Sequence, residues 1–123
     1  MDKEQAIHYI WSQFGLKAYD ENSVPDDAQM PYITYNVSVS PIDRIVLLNG
    51  SIWYRSTSWA EVTEKAHEIA EYIGGQGHVV LKIDGGYVWF VQGSPFAQRM
   101  ADDNDDSVKR IYINIEAEFL TQY

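Results

Sequence analysis

Residues 109–121 read KRIYINIEAEFLT, and their apolar and polar side chains alternate almost without interruption. The apolar set is Ile111, Ile113, Ile115, Ala117 and Phe119. The polar set opposite it is Tyr112, Asn114, Glu116 and Glu118. A repeat of two residues is the period of a β-strand, whose successive side chains point to opposite faces of a sheet. This segment therefore predicts a long strand with one face in the core and one polar face, which meets water in a monomer or a neighbour in an assembly.

Further extended segments are predicted on both sides of the chain's second helix. They are residues 31–40, 44–56, 78–84 and 87–92. The first of them, PYITYNVSVS, alternates in the same way, and Asp84-Gly85-Gly86 is a turn typical of a β-hairpin. Because Asn49-Gly50 lies within residues 44–56, that segment is either one bent strand or two short ones. Residues 93–107 are predicted to form a loop.

Two helices complete the predicted architecture. Apolar side chains recur at helical spacing in residues 2–14, and Asp2 is suited to cap the start of that helix. The second helix runs to Ile73, and Ser58 with Glu61 forms the pattern of a capping box at its start. Both helices are expected to bury one apolar face.

The order of these elements predicts the fold class. It is α-β-β-α-β-β-β, with a polar connector at residues 19–30. Strands joined by hairpins are typical of antiparallel sheets, which can leave one face in water. The 123 residues are therefore predicted to form a single α+β domain, residues 1–123, with a mostly antiparallel sheet of four to five strands and two helices packed on one face.

The charge balance excludes several classes of partner. Eighteen acidic residues against nine basic ones give a formal net charge of -9. Proteins that bind nucleic acids gain affinity from lysine and arginine at the phosphates, so we expect no sequence-specific nucleic-acid binding. An anionic membrane surface is disfavoured for the same reason. The chain has no cysteine, which excludes disulfides, thiolate metal ligands and cysteine nucleophiles.

The sequence contains no pattern typical of an active site. Gly74–Gly77 follows a helix, so it offers no helix N-terminus to a phosphate group. Asp102–Asp106 fails as a calcium loop because Ser107 and Ile113 stand where glycine and glutamate are required. The three histidines are far apart in the sequence. We therefore expect no enzymatic activity, no catalytic residue, no cofactor and no bound metal.

The best candidate for a binding surface is the strand around Trp89. If Val88 and Phe90 point into the core, then Tyr87, Trp89 and Val91 face outward. An exposed aromatic patch with a polar rim is typical of a protein interface. The alternative is that these aromatic side chains pack inside the protein.

A second candidate is the acidic stretch of residues 102–106. Its carboxylates belong to Asp102, Asp103, Asp105 and Asp106. Loops of this length are often functional. The acidic stretch is therefore interpreted either as a contact surface for a protein partner or as a solvated loop whose carboxylates repel one another.

The C-terminal sequence resembles that of a known family. Residues 95–123, PFAQRMADDNDDSVKRIYINIEAEFLTQY, are similar to the C-terminal part of minor capsid and tail-terminator (head–tail joining) proteins of tailed phages, especially those of Gram-positive hosts and their prophages. The M-P-Y-I-T-Y strand that starts at Met30, the capped helix and the closing strand follow the same plan. The resemblance contains no invariant chemical motif.

The resemblance implies a structural role. Such proteins have an α+β fold, form rings that are often six-fold, and contact tail-tube or head-completion proteins in the virion. We therefore expect a virion protein that is present in the host cytoplasm during assembly and whose free subunit can stay monomeric. An acidic lining suits a channel for DNA, so the four aspartates of residues 102–106, with Asp26 and Asp27, are predicted to face the lumen or a partner. The alternative function is a small monomeric acidic domain that binds or inhibits another protein.

Overall fold

The computed structural model describes residues 1–40, 44–75, 78–102 and 104–122. Within them lie two helices, α1 (Lys3–Trp11) and α2 (Ala60–Gly74). The strands are β1 (Lys17–Asp20), β2 (Tyr32–Tyr35), β3 (Ile45–Arg55), β4 (Val79–Ile83), β5 (Gly86–Ala101) and β6 (Val108–Thr121). All six strands belong to one sheet, in the order β1-β2-β3-β6-β5-β4. The predicted α+β class is therefore confirmed.

The sheet is larger and more mixed than predicted. It has six strands, and β1 pairs with β2 in parallel while every other neighbouring pair is antiparallel. The prediction of four to five strands was wrong because it assigned Lys17–Asp20 partly to the connector. A strand of four residues is too short to show a repeat, and only its pairing with Tyr32–Tyr35 makes it a strand.

The predicted loop at 93–107 was also largely wrong. Strand β5 continues to Ala101, and its pairing with β6 shifts register between Gln92 and Ala97. Such a bulge accommodates Gly93 and Pro95, residues that weaken a regular strand. The long segment 45–55 is a single strand, so Asn49-Gly50 marks neither a turn nor a strand end.

The helix starts differ from each other. At α1 the side chain of Asp2 accepts from the backbone N–H of Gln5, whose own side chain accepts from Asp2, so the predicted cap is confirmed. At α2 the predicted capping box was wrong. The N–H of Ser58 donates to the hydroxyl of Ser56 and is not free for Glu61.

The core lies between the helices and one face of the sheet, which we call the inner face. The alternation predicted for β6 is confirmed, because Ile111, Ile113, Ile115, Ala117 and Phe119 are all buried. Apolar side chains of α1 and α2 join the same cluster. Both helices therefore cover the inner face, and the opposite, outer face carries the side chains that remain for contacts with other molecules.

Candidate protein-interaction surface

The outer face is strongly apolar over four neighbouring strands. We call this region the outer patch, and it consists of Ile45, Leu47, Val80, Tyr87, Trp89, Val91 and Leu120. Ile45 and Leu47 are 65% and 63% exposed, and Trp89 is 38% exposed. Side chains of this size are normally buried, so a contiguous group of them on one face indicates an interaction surface.

Strand register brings these side chains together. One row across the sheet is Val80, Trp89, Glu118 and Ile45. The next row is Val91, Glu116 and Leu47. Since paired residues of neighbouring antiparallel strands share a face, the apolar side chains of β3 and β5 lie on either side of the two glutamates of β6.

The structure meets the condition stated for the aromatic strand. Val88 and Phe90 are fully buried, while Tyr87 and Trp89 are exposed and Val91 is partly exposed. The sequence reasoning missed Ile45 and Leu47, because residues 45–48 are apolar at every position and their alternation cannot assign a face. The polar face predicted for residues 109–121 carries Glu116 and Glu118, but the neighbouring strands β3 and β5 add large apolar side chains to this half of the outer face.

A shallow cleft lies within the outer patch. It has a volume of about 170 Å³ and is lined by Ile45, Trp89, Val91, Glu116, Ala117 and Glu118. Beside it, the ring of His78 packs against Trp89 with 4.7 Å between ring centroids. Neither Glu116 nor Glu118 forms an ion pair or hydrogen bond with the part of the chain that the structure describes. The cleft therefore combines apolar walls with two unpaired carboxylates.

The other half of the outer face is occupied by its own internal contacts. The guanidinium of Arg110 lies 4.6 Å from the ring centroid of Trp53 and donates to the hydroxyl of Ser51. The indole N–H of Trp53 donates to Thr34. These polar groups stabilise the sheet surface and leave the outer patch as the stronger candidate.

The acidic residues predicted to form a contact loop have separate roles. Asp105 accepts hydrogen bonds from the backbone and hydroxyl of Ser107 and pairs with Arg55, whose Nη1 lies 3.0 Å away. Asp102 accepts from the backbone N–H of Asn104. Asp106 is exposed, and Asp103 lies outside the described residues. Asp105 thus orders the turn between β5 and β6, and neutralising it would perturb this turn as well as any contact surface.

The turn provides a test by pH. Hydrogen bonds from Ser107 and then Arg55 lower the pKa of Asp105 from 3.8 to about 2. A lowered folded-state pKa contributes stability above the unfolded value, and this contribution is lost as the pH falls from about 4 to about 2. We expect Asp105→Asn to be less stable than the wild type at pH 7 and equally stable at pH 2, measured by urea unfolding. Asp106→Asn is the control and should track the wild type. A stability difference for Asp105→Asn that is independent of pH would contradict this role.

The described ranges offer few other candidates for a metal site, a catalytic site or a membrane contact. No three of their histidine, aspartate and glutamate side chains come together as a metal-binding group. Of the histidines, His8 shares a hydrogen bond of 2.8 Å between its Nδ1 and the hydroxyl of Tyr35. No helix in these ranges has the length and apolar character needed to cross a membrane.

Comparison of the chain with protein-family models, curated proteins and solved structures finds no match. The sequence pattern and the outer patch are therefore the features of this protein that bear on its function.

Proposed function

We propose that this protein is a structural subunit of a tailed-phage particle, a tail terminator or head–tail connector that acts by ring assembly and protein–protein contacts. The observation that carries this proposal is the outer patch, whose large apolar side chains would meet water in an isolated subunit. Burying such side chains against another protein removes apolar surface from water, which is the main favourable term in association.

Two further features support a ring. The sheet ends in two different edge strands, β1 and β4, at opposite sides of the domain. A ring subunit uses two different surfaces, because each contact joins one surface to a different one on the next subunit. The sequence resemblance to tail-terminator and head–tail joining proteins favours the same arrangement, and the net charge of -9 suits a ring through which DNA passes.

The direct experiment is native mass spectrometry over a concentration series, with negative-stain microscopy of the same samples. Closed rings, with six subunits as the expected number, would support the proposal. A monomer at every concentration would favour the alternative, a small acidic domain that binds another protein.

The outer patch itself can be tested by truncation. We expect the double variant Leu47→Ser/Trp89→Ser to stay folded and to need at least about tenfold more protein for assembly, because buried aromatic anchors contribute most to such contacts. Met100→Ser is the matched control. Met100 lies on the same strand and sheet face as Trp89 and is 39% exposed, but it pairs with Arg110 beyond the bulge, outside the patch. Equal assembly of the double variant and the wild type would remove the patch from the interface.

A further inference from the structure

The two carboxylates in the cleft define what can bind there. Glu116 and Glu118 are partly buried beside Ile45, Trp89 and Val91, without a cationic partner among the described residues. A carboxylate that loses water without gaining a partner is unfavourable, so covering this cleft with an apolar surface alone would cost free energy. A lysine fits both requirements, because its aliphatic stem packs on apolar walls while its ammonium group meets the carboxylates.

The chain itself supplies few free cations. Six of its basic side chains have contacts within the protein: Lys3, Arg55, Lys65, Arg99, Lys109 and Arg110. In the described ranges three basic side chains form no hydrogen bond, ion pair or ring contact, namely Lys17, Arg44 and Lys82. Lys82 pairs with Tyr87 and so lies at the outer patch, and Arg44 directly precedes Ile45 in the sequence. Lys17 lies on β1, at the opposite edge of the sheet from β4.

The surroundings of Lys17 complement those of the cleft. It lines a recess of mixed character with the apolar or aromatic residues Leu16, Tyr19, Pro25, Ala28 and Pro31 and the polar residue Gln29. Asp27 also lines this recess, and no ion pair joins it to Lys17. The exposed ammonium group of Lys17 at the β1 edge thus has the charge opposite to that of the two carboxylates in the cleft formed by β3, β6 and β5.

We propose that the cleft of the outer patch binds Lys17 of a second copy of this chain. The proposal rests on the proposed function as a ring subunit and names the contact that joins neighbours. When a contact uses one Lys17 and one cleft, each pair of subunits keeps one free cleft and one free Lys17, so the contact repeats until the ring closes. The net charge of -9 opposes association only weakly at physiological salt, where screening acts over about 8 Å and the local charges decide.

Charge reversal tests the pairing. Lys17→Glu and Glu118→Lys should each raise the protein concentration needed for assembly by about tenfold or more, because each places like charges together in the contact. The combined variant Lys17→Glu/Glu118→Lys restores opposite charges and should assemble within about threefold of the wild type. Arg99→Glu is the matched control. It makes the same change in net charge as Lys17→Glu, and Arg99 is exposed and lies over the ring of Trp59 at the start of α2, outside both the outer patch and the Lys17 surface. This variant should therefore assemble like the wild type.

Mixing two blocked variants tests the head-to-tail geometry. Lys17→Glu keeps an intact cleft, and Leu47→Ser/Trp89→Ser keeps an intact Lys17. Their mixture should give a one-to-one dimer that grows no further, because only one functional contact can form between them. A contact between two identical patches would give no such dimer, since one partner would always carry the damaged patch.

The outcomes separate this inference from the proposed function. Wild-type rings that are unaffected by Lys17→Glu would overturn the Lys17 contact and leave the ring proposal standing. Wild-type assembly that stops at a dimer would overturn the ring, because the two subunits would then contact each other reciprocally. A wild-type monomer throughout the concentration series would overturn the Lys17 contact between free subunits and favour the alternative function.

Discussion

Replacing Trp11 with alanine is expected to lower the free energy of unfolding by about 3–5 kcal/mol, the usual cost of deleting a large buried aromatic side chain. Trp11 is the last residue of α1 and is fully buried, with its indole ring over Gly50 of β3. It therefore joins the first helix to the central part of the sheet. Urea unfolding monitored by far-UV circular dichroism gives the measurement.

The matched control for this variant is Trp53→Ala. Trp53 lies on the outer face, is only partly buried, and makes a hydrogen bond to Thr34. Its truncation leaves no enclosed cavity, so we expect a loss of about 1 kcal/mol, as for most single substitutions. Equal losses for the two variants would mean that Trp11 does not hold α1 on the sheet.

The second large effect is expected at Gly50. A Cβ at this position would lie 2.7 Å from Cη2, 2.8 Å from Cζ3 and 2.9 Å from Cζ2 of Trp11. Because this indole is enclosed by the core, Gly50→Ala forces a shift and should cost about 1–3 kcal/mol by overpacking. The same unfolding experiment measures this loss.

A double-mutant cycle identifies the cause of that loss. Phenylalanine lacks the outer ring atoms that an alanine at position 50 would meet, so Gly50→Ala should cost less than about 1 kcal/mol in a Trp11→Phe background. Gly15→Ala is the control. Gly15 has φ of 73° and no atom within 4 Å of its would-be Cβ, so its cost comes from the backbone and should be the same in both backgrounds. If Gly50→Ala lowers the free energy of unfolding equally in the wild type and in the Trp11→Phe background, the loss arises from the backbone of β3 and not from contact with Trp11.

Gly50 also illustrates how a correct local signal can be misinterpreted. Asn49-Gly50 is typical of a tight turn, yet both residues lie within a continuous strand of β3. Glycine is needed there because the ring of Trp11 packs directly on the strand backbone, although Trp11 lies thirty-nine residues earlier in the sequence. No window of neighbouring residues contains that information.

The elements that were predicted correctly are those with strong local patterns. The two-residue repeat of β6, the turn at Asp84–Gly86 and the Asp2 cap each depend on side chains a few residues apart. The same repeat groups Val88 with Phe90 and Tyr87 with Trp89, but all four side chains are apolar or aromatic, so the repeat does not say which pair is buried. The fold decides that Val88 and Phe90 point inward and that Tyr87 and Trp89 are exposed.

The rest of the surface depends on contacts between distant segments. Strand β1 exists because it pairs with β2, and β5 continues past its bulge because β6 lies beside it. Ile45 and Leu47 lie on the outer face because their register with Glu118 and Glu116 on β6 places them there. Local periodicity can define a strand and its two faces, but long-range strand pairing decides which strands are neighbours. That pairing brings the two carboxylates of β6 between apolar side chains of β3 and β5, and so creates the cleft.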